Sequence, residues 1–154
     1  NLYNTLLYLS RNLFFYSKIE LKDTFETRIY LMFLHFSIIL IICKFKKHNF
    51  PQKSYDDLFN SIENDLRELG MGDVSVNKKM KDLNKIFYDI LLKINKTNNN
   101  LKINKNLIIK YFPELNDLET TKYELFNEYL INFYDFCFEL HPETMIKDAL
   151  KFKV

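Results

Sequence analysis

Glycine is scarce in this sequence: among 154 residues, only Gly70 and Gly72 are glycine. Nucleotide-binding loops such as the P-loop and the dinucleotide fingerprint need several glycines, because their backbone must approach phosphate groups closely. Two glycines in one short stretch cannot supply such a loop. The sequence therefore argues against direct ATP or NAD chemistry, and no cofactor is expected.

Cysteine and histidine are also few and widely spaced. Cys43 and Cys137 lie 94 residues apart without a CxxC motif, so neither a redox motif nor a zinc site is indicated. Both fall in apolar stretches, where a free cysteine behaves as a small hydrophobic residue. No histidine lies three or four residues from another histidine, so no metal site is expected. His35 is interpreted as a core residue hydrogen-bonded to a neighbour.

The formal net charge is only +2, and we expect no DNA partner. The charge is unevenly distributed, however: residues 77–110 carry a net +7 and residues 113–143 a net −7. The simplest interpretation is two solvated faces of opposite sign; alternatively, the segments face each other in the fold, or one of them faces a partner. The lysines between Lys78 and Lys110 leave open an RNA- or ribosome-contacting helical module.

Alternating strand patterns are nearly absent, and helical periodicity runs through the whole chain. The pattern predicts an all-α fold, a single-domain helical bundle of about six to seven helices over residues 1–154. The first predicted helix is Leu2–Tyr16, and the second begins at Asp23 and runs to Cys43. Ser54 caps the third, and the fourth ends near Asn95, where the polar connection Asn95–Asn100 begins. The remaining predicted helices are Lys102–Phe112, Glu119–Leu140 and a short one within Glu143–Phe152.

The second predicted helix contains the apolar run Ile29–Cys43. Its 15 residues span about 22 Å, less than the ~30 Å of a bilayer core. Because the run is apolar on all sides, it is interpreted as a central buried helix. Lys44, Lys46 and Lys47 follow it, so peripheral membrane contact also remains open.

Both glycines lie where one helical pattern ends and the next begins. Gly70 is interpreted as the left-handed residue just past a helix end. Asp73 or Ser75 is the expected N-cap of the following helix. The sequence therefore predicts a tight helix–turn–helix corner around Gly70 and Gly72, and this is its most specific feature.

An alternative is suggested by the carboxylates Asp56, Asp57, Glu63 and Asp65 on the third predicted helix. Helical magnesium enzymes acting on diphosphates use such clusters. Such an enzyme would need a second paired cluster on a facing helix, and the acidic segment after Pro113 has only scattered carboxylates. First-turn acids that complement the helix dipole are the simpler interpretation of Asp56 and Asp57.

The corner is part of a longer run that comprises Asp65–Asp73, Val76, Lys78–Met80 and Phe87–Tyr88. This run closely resembles the signature of the ubiquinol–cytochrome c chaperone family, with further matches at Tyr16, Asp23–Thr24, Arg28 and Leu34–His35. The resemblance covers about residues 13–94, and the C-terminal helical part, residues 101–154, is matched less. Where the family usually has Gly-Arg after the tyrosine, this chain has Asp89–Ile90.

The resemblance implies a non-enzymatic chaperone that assists assembly of the respiratory cytochrome bc complex. Its implied client is newly made cytochrome b, with a small partner chaperone as a further partner. The implied location is the inner face of the bacterial inner membrane, or the matrix side of the mitochondrial inner membrane.

Arg67 has two interpretations. In the structural one, Glu63 braces it at i, i+4 spacing and it clamps Asp73 across the turn. In the functional one, Arg67 and Lys78–Lys79 form a docking face. The candidate residues for client or partner binding are Asp23, Arg28, His35, Asp65, Arg67, Gly70, Gly72, Asp73, Lys78, Lys79 and Tyr88.

Overall fold

Seven α-helices and one β-hairpin make up the described part of the computed structural model, which comprises residues 1–97, 100–117 and 120–154. The predicted all-α bundle is confirmed. In chain order the elements are α1 (Leu2–Ser10), a π-helical turn (Phe14–Lys18), α2 (Phe25–Phe45), α3 (Gln52–Glu68), α4 (Asp73–Lys93), β1 (Ile94–Thr97), β2 (Asn100–Ile103), α5 (Lys105–Tyr111), a 3₁₀ turn (Pro113–Leu115), α6 (Lys122–Phe138), α7 (Met145–Asp148) and a last 3₁₀ turn (Ala149–Lys151).

Helix α2 lies at the centre of the bundle, as predicted. Every residue from Leu31 to Ile39 is buried, and the helix packs against α1, α4 and α6. It has 21 residues rather than the 15 of the apolar run, and by length and composition it is able to cross a membrane. Within the fold, however, 67% of its most apolar window is buried, so its neighbours cover it in place of lipid.

Helix α1 is shorter than predicted. It ends at Ser10 rather than Tyr16, and Leu13, within the predicted helix, is 76% exposed. Asn12 explains the break, because its side-chain oxygen accepts a 2.9 Å hydrogen bond from the Phe14 amide and starts a new helical turn. Asparagine competes with the helix in this way because its short side chain reaches nearby backbone groups.

Three predicted N-caps are displaced. The hydroxyl of Thr24, not Asp23, accepts the Thr27 amide at the start of α2 (3.2 Å). Gly72 is the N-cap of α4, so Asp73 is its first helical residue, and Ser75 lies deeper in the first turn. Pro51 takes the cap position of α3 and places the predicted cap Ser54 inside the helix. The N-cap has extended backbone, and the fixed φ of proline is compatible with it.

The corner between α3 and α4 has the predicted left-handed glycine. Gly70 has φ +94°, and it follows Leu69, the C-cap of α3. The Gly70 amide donates to the Arg67 carbonyl (2.9 Å) and the Met71 amide to the Leu66 carbonyl (3.3 Å). This is the Schellman arrangement, which satisfies the last carbonyls of a helix. Gly72, with φ −77°, has no such requirement.

The polar connection after α4 was predicted without regular structure, and this was wrong. Strands β1 and β2 form an antiparallel hairpin in which Ile94 pairs with Ile103. Asn98 and Asn99 of that connection lie outside the described residues. Burial of Ile94 and Leu101 holds the hairpin against the bundle. Because β2 takes the residues up to Ile103, α5 begins at Lys105 rather than at Lys102, with Asn104 as its N-cap.

Helix α6 closes the other side of α2. Its predicted start, Glu119, lies outside the described residues, and the helix is observed over Lys122–Phe138. Lys46, just after α2, donates to the carbonyls of Phe138 and Leu140 (2.8 Å to the latter). A cation at a helix C-terminus is favourable because it meets the negative end of the dipole. Lys46 is thus used inside the fold, although its position had suggested a membrane contact.

The two cysteines are buried free thiols on α2 and α6. Burial raises the pKa of the Cys137 thiol to about 12, and nearby Cys43 adds to the rise. Both thiols therefore stay protonated at neutral pH. In this form they are small apolar groups of the core.

His35 is fully buried in α2 and makes two hydrogen bonds. Its Nδ1 lies 2.6 Å from the Leu31 carbonyl and its Nε2 2.7 Å from the Tyr129 hydroxyl. A carbonyl only accepts, so Nδ1 carries the proton and the Tyr129 hydroxyl donates to Nε2. Burial lowers the pKa of His35 to about 4. The ring is therefore a neutral link between α2 and α6, as a core histidine is expected to be.

The corner predicts a position-specific effect of threonine. Gly70→Thr forces a β-branched residue to φ +94° and should lower the free energy of unfolding by at least about 1 kcal/mol. Gly72→Thr is the matched control, because its φ is ordinary, no atom lies within 4 Å of the added Cβ, and threonine caps helices as well as glycine. Denaturant unfolding measures both. Equal stability of the two variants would contradict the left-handed cap.

A second pair of variants tests the buried histidine. Tyr129→Phe removes the donor to His35 Nε2 and leaves a buried acceptor unsatisfied, so we expect a loss of about 1–3 kcal/mol. Tyr134→Phe is the control, because the hydroxyl of Tyr134 is buried without a hydrogen-bond partner; its loss should be neutral or stabilising. Thermal or denaturant unfolding compares them, and the reverse order would show that the link is not formed.

Stability should also depend on pH through His35. Its folded pKa of about 4 lies below its ordinary value of 6.5, so the unfolded chain takes up this proton first as the pH falls. The stabilisation is complete above pH ~6.5 and is lost towards pH ~4, at up to about 1.4 kcal/mol per pH unit. The variant His35→Gln has no titrating group at this position, so its free energy of unfolding should change less between these pH values than that of the native protein. Identical slopes would exclude the effect.

Candidate binding surface at the corner of α3 and α4

A groove of about 350 Å³ opens beside the corner, between α1, the start of α2 and the end of α3. It is lined by Tyr3, Leu7, Arg11, Phe25, Arg28, Ile29, Met32, Asp65, Glu68 and Leu69. We call it the corner groove. Two candidate residues, Arg28 and Asp65, line it, although they are 37 positions apart in the sequence.

The corner groove has an apolar floor and a charged rim. Ile29 and Met32 are buried at its base, whereas Leu69 at the edge is 63% exposed. Arg11 and Glu68 on the rim have no ion pair within the described residues. Such a surface accepts apolar side chains in the middle and polar groups around them, as grooves that receive amphipathic helices do.

Internal contacts hold the other two charged groups of the rim. Asp23 accepts a hydrogen bond from Arg28 Nε (2.8 Å) and lies 2.6 Å from its Nη2. Asp65 accepts from the Tyr3 hydroxyl (2.6 Å). Burial and this hydrogen bond to the carboxylate raise the pKa of Tyr3, so the phenol keeps its proton. Asp23 thus positions Arg28, and Tyr3 fixes Asp65 to α1.

Arg67 makes the contacts of its structural interpretation. Its guanidinium donates to Asp73 across the turn, and it lies 3.9 Å from Glu63 one helical turn earlier. The hydrogen bond to Asp73 raises the pKa of Arg67. The pair joins the end of α3 to the start of α4 over Gly70 and Gly72, so these four candidate residues form one unit.

Lys78 and Lys79 do not act together. Lys79 lies 3.7 Å from Glu26 of α2 and joins the two helices, whereas Lys78 is exposed and has no ion pair in the described part of the chain. Adjacent residues on a helix point about 100° apart, which explains the difference. The predicted docking face of Arg67 with both lysines is therefore divided.

Tyr88 and His35 lie outside the corner groove. Tyr88 is 48% exposed and borders a separate cavity of about 210 Å³ with Phe50, Tyr55 and Leu91. The Tyr55 hydroxyl approaches that of Tyr88 at 3.5 Å. His35 is in the core. Of the candidate residues, Arg28 and Asp65 therefore line the corner groove, and Arg67, Gly70, Gly72 and Asp73 form the corner itself. The remaining candidates belong to neither group.

Asp89 is an interaction centre that sequence reasoning missed. It accepts from Lys93 (2.6 Å), Lys110 (2.9 Å) and the Tyr111 hydroxyl. The hydrogen bonds from Lys93 and Tyr111 hold its pKa well below the ordinary value. Only the i, i+4 spacing of Asp89 and Lys93 signals this in the sequence, because α5 meets α4 only in the fold.

The carboxylates of α3 do not converge on a common centre. Asp57 pairs with Lys53 (2.9 Å) and lines a cavity of about 300 Å³ near the start of α3. Asp65 binds Tyr3 and lines the corner groove. Within residues 1–97, 100–117 and 120–154, no three His, Cys, Asp or Glu residues are placed to hold a metal ion. This geometry does not favour the magnesium enzyme.

The contribution of α1 to the corner groove was also missed. Tyr3, Leu7 and Arg11 form one wall of it, at spacings of four residues along one helical face. They precede the region of family resemblance, so nothing in that motif pointed to them. An amphipathic pattern alone does not distinguish a groove wall from an ordinary half-buried helix face.

Comparison with known proteins completes this description. The sequence profile described as Ubiquinol-cytochrome C chaperone matches residues 17–102, which is more than half of the chain and includes α2, α3 and the corner. Comparisons with curated proteins and with solved structures give no significant match. From the extent of the profile match, the chain belongs to the ubiquinol–cytochrome c chaperone family.

Proposed function

We propose that this protein binds newly made cytochrome b during assembly of the cytochrome bc complex, and that the corner groove receives the client. Family membership supports a chaperone of this assembly. The observation that carries the choice of surface is the apolar floor formed by Ile29 and Met32 beside the exposed Leu69.

The dimensions of the groove suit side chains rather than a whole segment. About 350 Å³ accommodates a few apolar side chains from one face of a helix. Burying each of them is worth roughly 1.5–3 kcal/mol. Part of that gain is lost to the entropy of association, so the binding stays reversible.

Reversible binding suits a chaperone that releases its client by handover. The sequence has no glycine-rich nucleotide loop, so release is proposed to follow from competition. Later subunits of the complex would cover the same apolar face of the client. Arg11 and Glu68 on the rim are available to orient the polar edge of the client helix.

The partner and the location are proposed on the same basis. A small partner chaperone would bind beside the client, and the protein would act at the inner face of a bacterial inner membrane or on the matrix side of the mitochondrial one. Cytochrome b is a membrane protein, so its chaperone must meet it where it is inserted.

The alternative RNA- or ribosome-contacting module has less support. Of the lysines between Lys78 and Lys110, at least three form ion pairs with other described residues, namely Lys79, Lys93 and Lys110. Lys105 lies 4.9 Å above the ring of Tyr123. These contacts reduce the positive charge available to a phosphate backbone, on which affinity for nucleic acid depends.

The proposal predicts a specific loss of client binding in Leu69→Gln. The side chain is 63% exposed, so folding should be unaffected, while capture of newly made cytochrome b by the tagged full-length protein should fall roughly tenfold. Leu13→Gln is the control, because Leu13 is 76% exposed and does not line the groove. Equal capture by both variants would exclude the corner groove as the client site.

A deletion strain tests the function itself. Without this protein, cytochrome b and the assembled complex should both decrease, and the native gene should restore them. Normal amounts of the complex in the deletion strain would defeat the proposed function, irrespective of which surface binds the client.

A further inference from the structure

One side of α4 carries a continuous row of exposed residues facing away from the core. Successive members are four or three positions apart, which places them on a single face of the helix. The row consists of Val74, Lys78, Lys81, Lys85, Tyr88 and Leu92. We call it the outer row of α4. The opposite face carries the buried Val76, Leu83, Phe87 and Ile90.

The outer row combines positive charge, flanked by the exposed Asp82, with exposed aliphatic side chains. Val74 is 85% and Leu92 75% exposed, and both are left in water by the fold. Lys78, Lys81 and Lys85 lie between these two residues, and none of the three lysines forms an ion pair within the described residues. The acidic segment 113–143 therefore does not neutralise this face, although its charge is opposite.

We propose that the outer row docks on the surface of an anionic lipid bilayer. From Val74 to Leu92 the row extends about 27 Å along one straight helix. The three ammonium groups match lipid phosphates, and each such lysine contributes substantially at an anionic surface. Val74 and Leu92 reach the boundary with the acyl chains at either end, and the amphipathic Tyr88 suits the interface between them.

The corner extends the apolar end of this surface. Met71, 36% exposed, precedes Val74 by three residues at the tip between α3 and α4. A tip with exposed apolar side chains next to basic residues can insert shallowly, while the lysines remain at the level of the headgroups.

A bilayer explains the row better than a nucleic acid does. Single-stranded nucleic acids are bound by basic grooves with aromatic side chains on which the bases stack. The outer row is convex, contains no arginine and has one aromatic residue, Tyr88. Val74 and Leu92 are aliphatic and largely exposed, and these side chains contribute to a lipid interface but not to phosphate or base contacts.

This inference is independent of the proposed function. None of the six residues of the outer row lines the corner groove, and vesicle binding is measured without a client. Leu69→Gln should therefore leave vesicle binding unchanged, and the double variant Lys81→Gln with Lys85→Gln should leave client capture in solution unchanged. The two proposals can fail separately.

Flotation of the full-length protein with vesicles tests the inference. Binding is expected to vesicles of phosphatidylcholine mixed with phosphatidylglycerol, but not to phosphatidylcholine alone, and should weaken as salt is added. The triple variant Lys78→Gln, Lys81→Gln, Lys85→Gln should bind on the order of 100-fold more weakly. Val74→Ser with Leu92→Ser should bind roughly tenfold more weakly and lose the binding that remains at high salt.

The matched control replaces three other exposed lysines, Lys18, Lys147 and Lys153, with glutamine. It loses the same net charge and should bind vesicles nearly as well as the native protein. An equal loss in this control would show that net charge, not the outer row, is responsible. The inference is also overturned if the native protein binds neither vesicle at low salt, or binds single-stranded RNA and not anionic vesicles.

Discussion

The fold depends on one constraint: helix α2 has no side that tolerates water. Nine consecutive residues, Leu31–Ile39, are buried, so neighbours must cover its whole circumference. Helices α1, α4 and α6 do so with their apolar faces, and their other faces are left for solvent or partners. Near its start, where Phe25 and Arg28 are only half-buried, this cover is incomplete, and the corner groove lies beside them. The candidate site thus follows from how the central helix is covered.

The corner determines where this cover is incomplete. With Gly70 in the left-handed conformation, the chain reverses immediately after Leu69. This reversal leaves Leu69 at the edge of the groove, and it allows α4 to pack against α2. Arg67 and Asp73 join the two helices across the turn. A longer or looser connection would give the same helices without a fixed edge. The backbone conformation of Gly70 alone therefore affects a surface formed by three helices.

The sequence predicted features that local chemistry determines and missed those that depend on packing. Gly70 was predicted because few other residues adopt its φ, and α2 because its apolar run is long and uninterrupted. The cap of α2 was misplaced by one residue, because Asp23 and Thr24 are both good caps and only the Arg28 contact separates their roles. The hairpin was missed because four-residue strands are too short to show alternation. The wall of α1 and the three bonds of Asp89 were missed because they join segments far apart in sequence.

The two proposed surfaces differ in their physics, which bears on how they would work together. The corner groove has both signs of charge on its rim and an apolar floor, so contact area dominates its interactions and salt affects them little. The outer row of α4 has three positive charges and no negative member, so its attraction acts over a Debye length and weakens with salt. The long-range force would bring the protein to the membrane where an apolar client emerges. The short-range force would then select the client, so neither surface needs to supply both location and specificity.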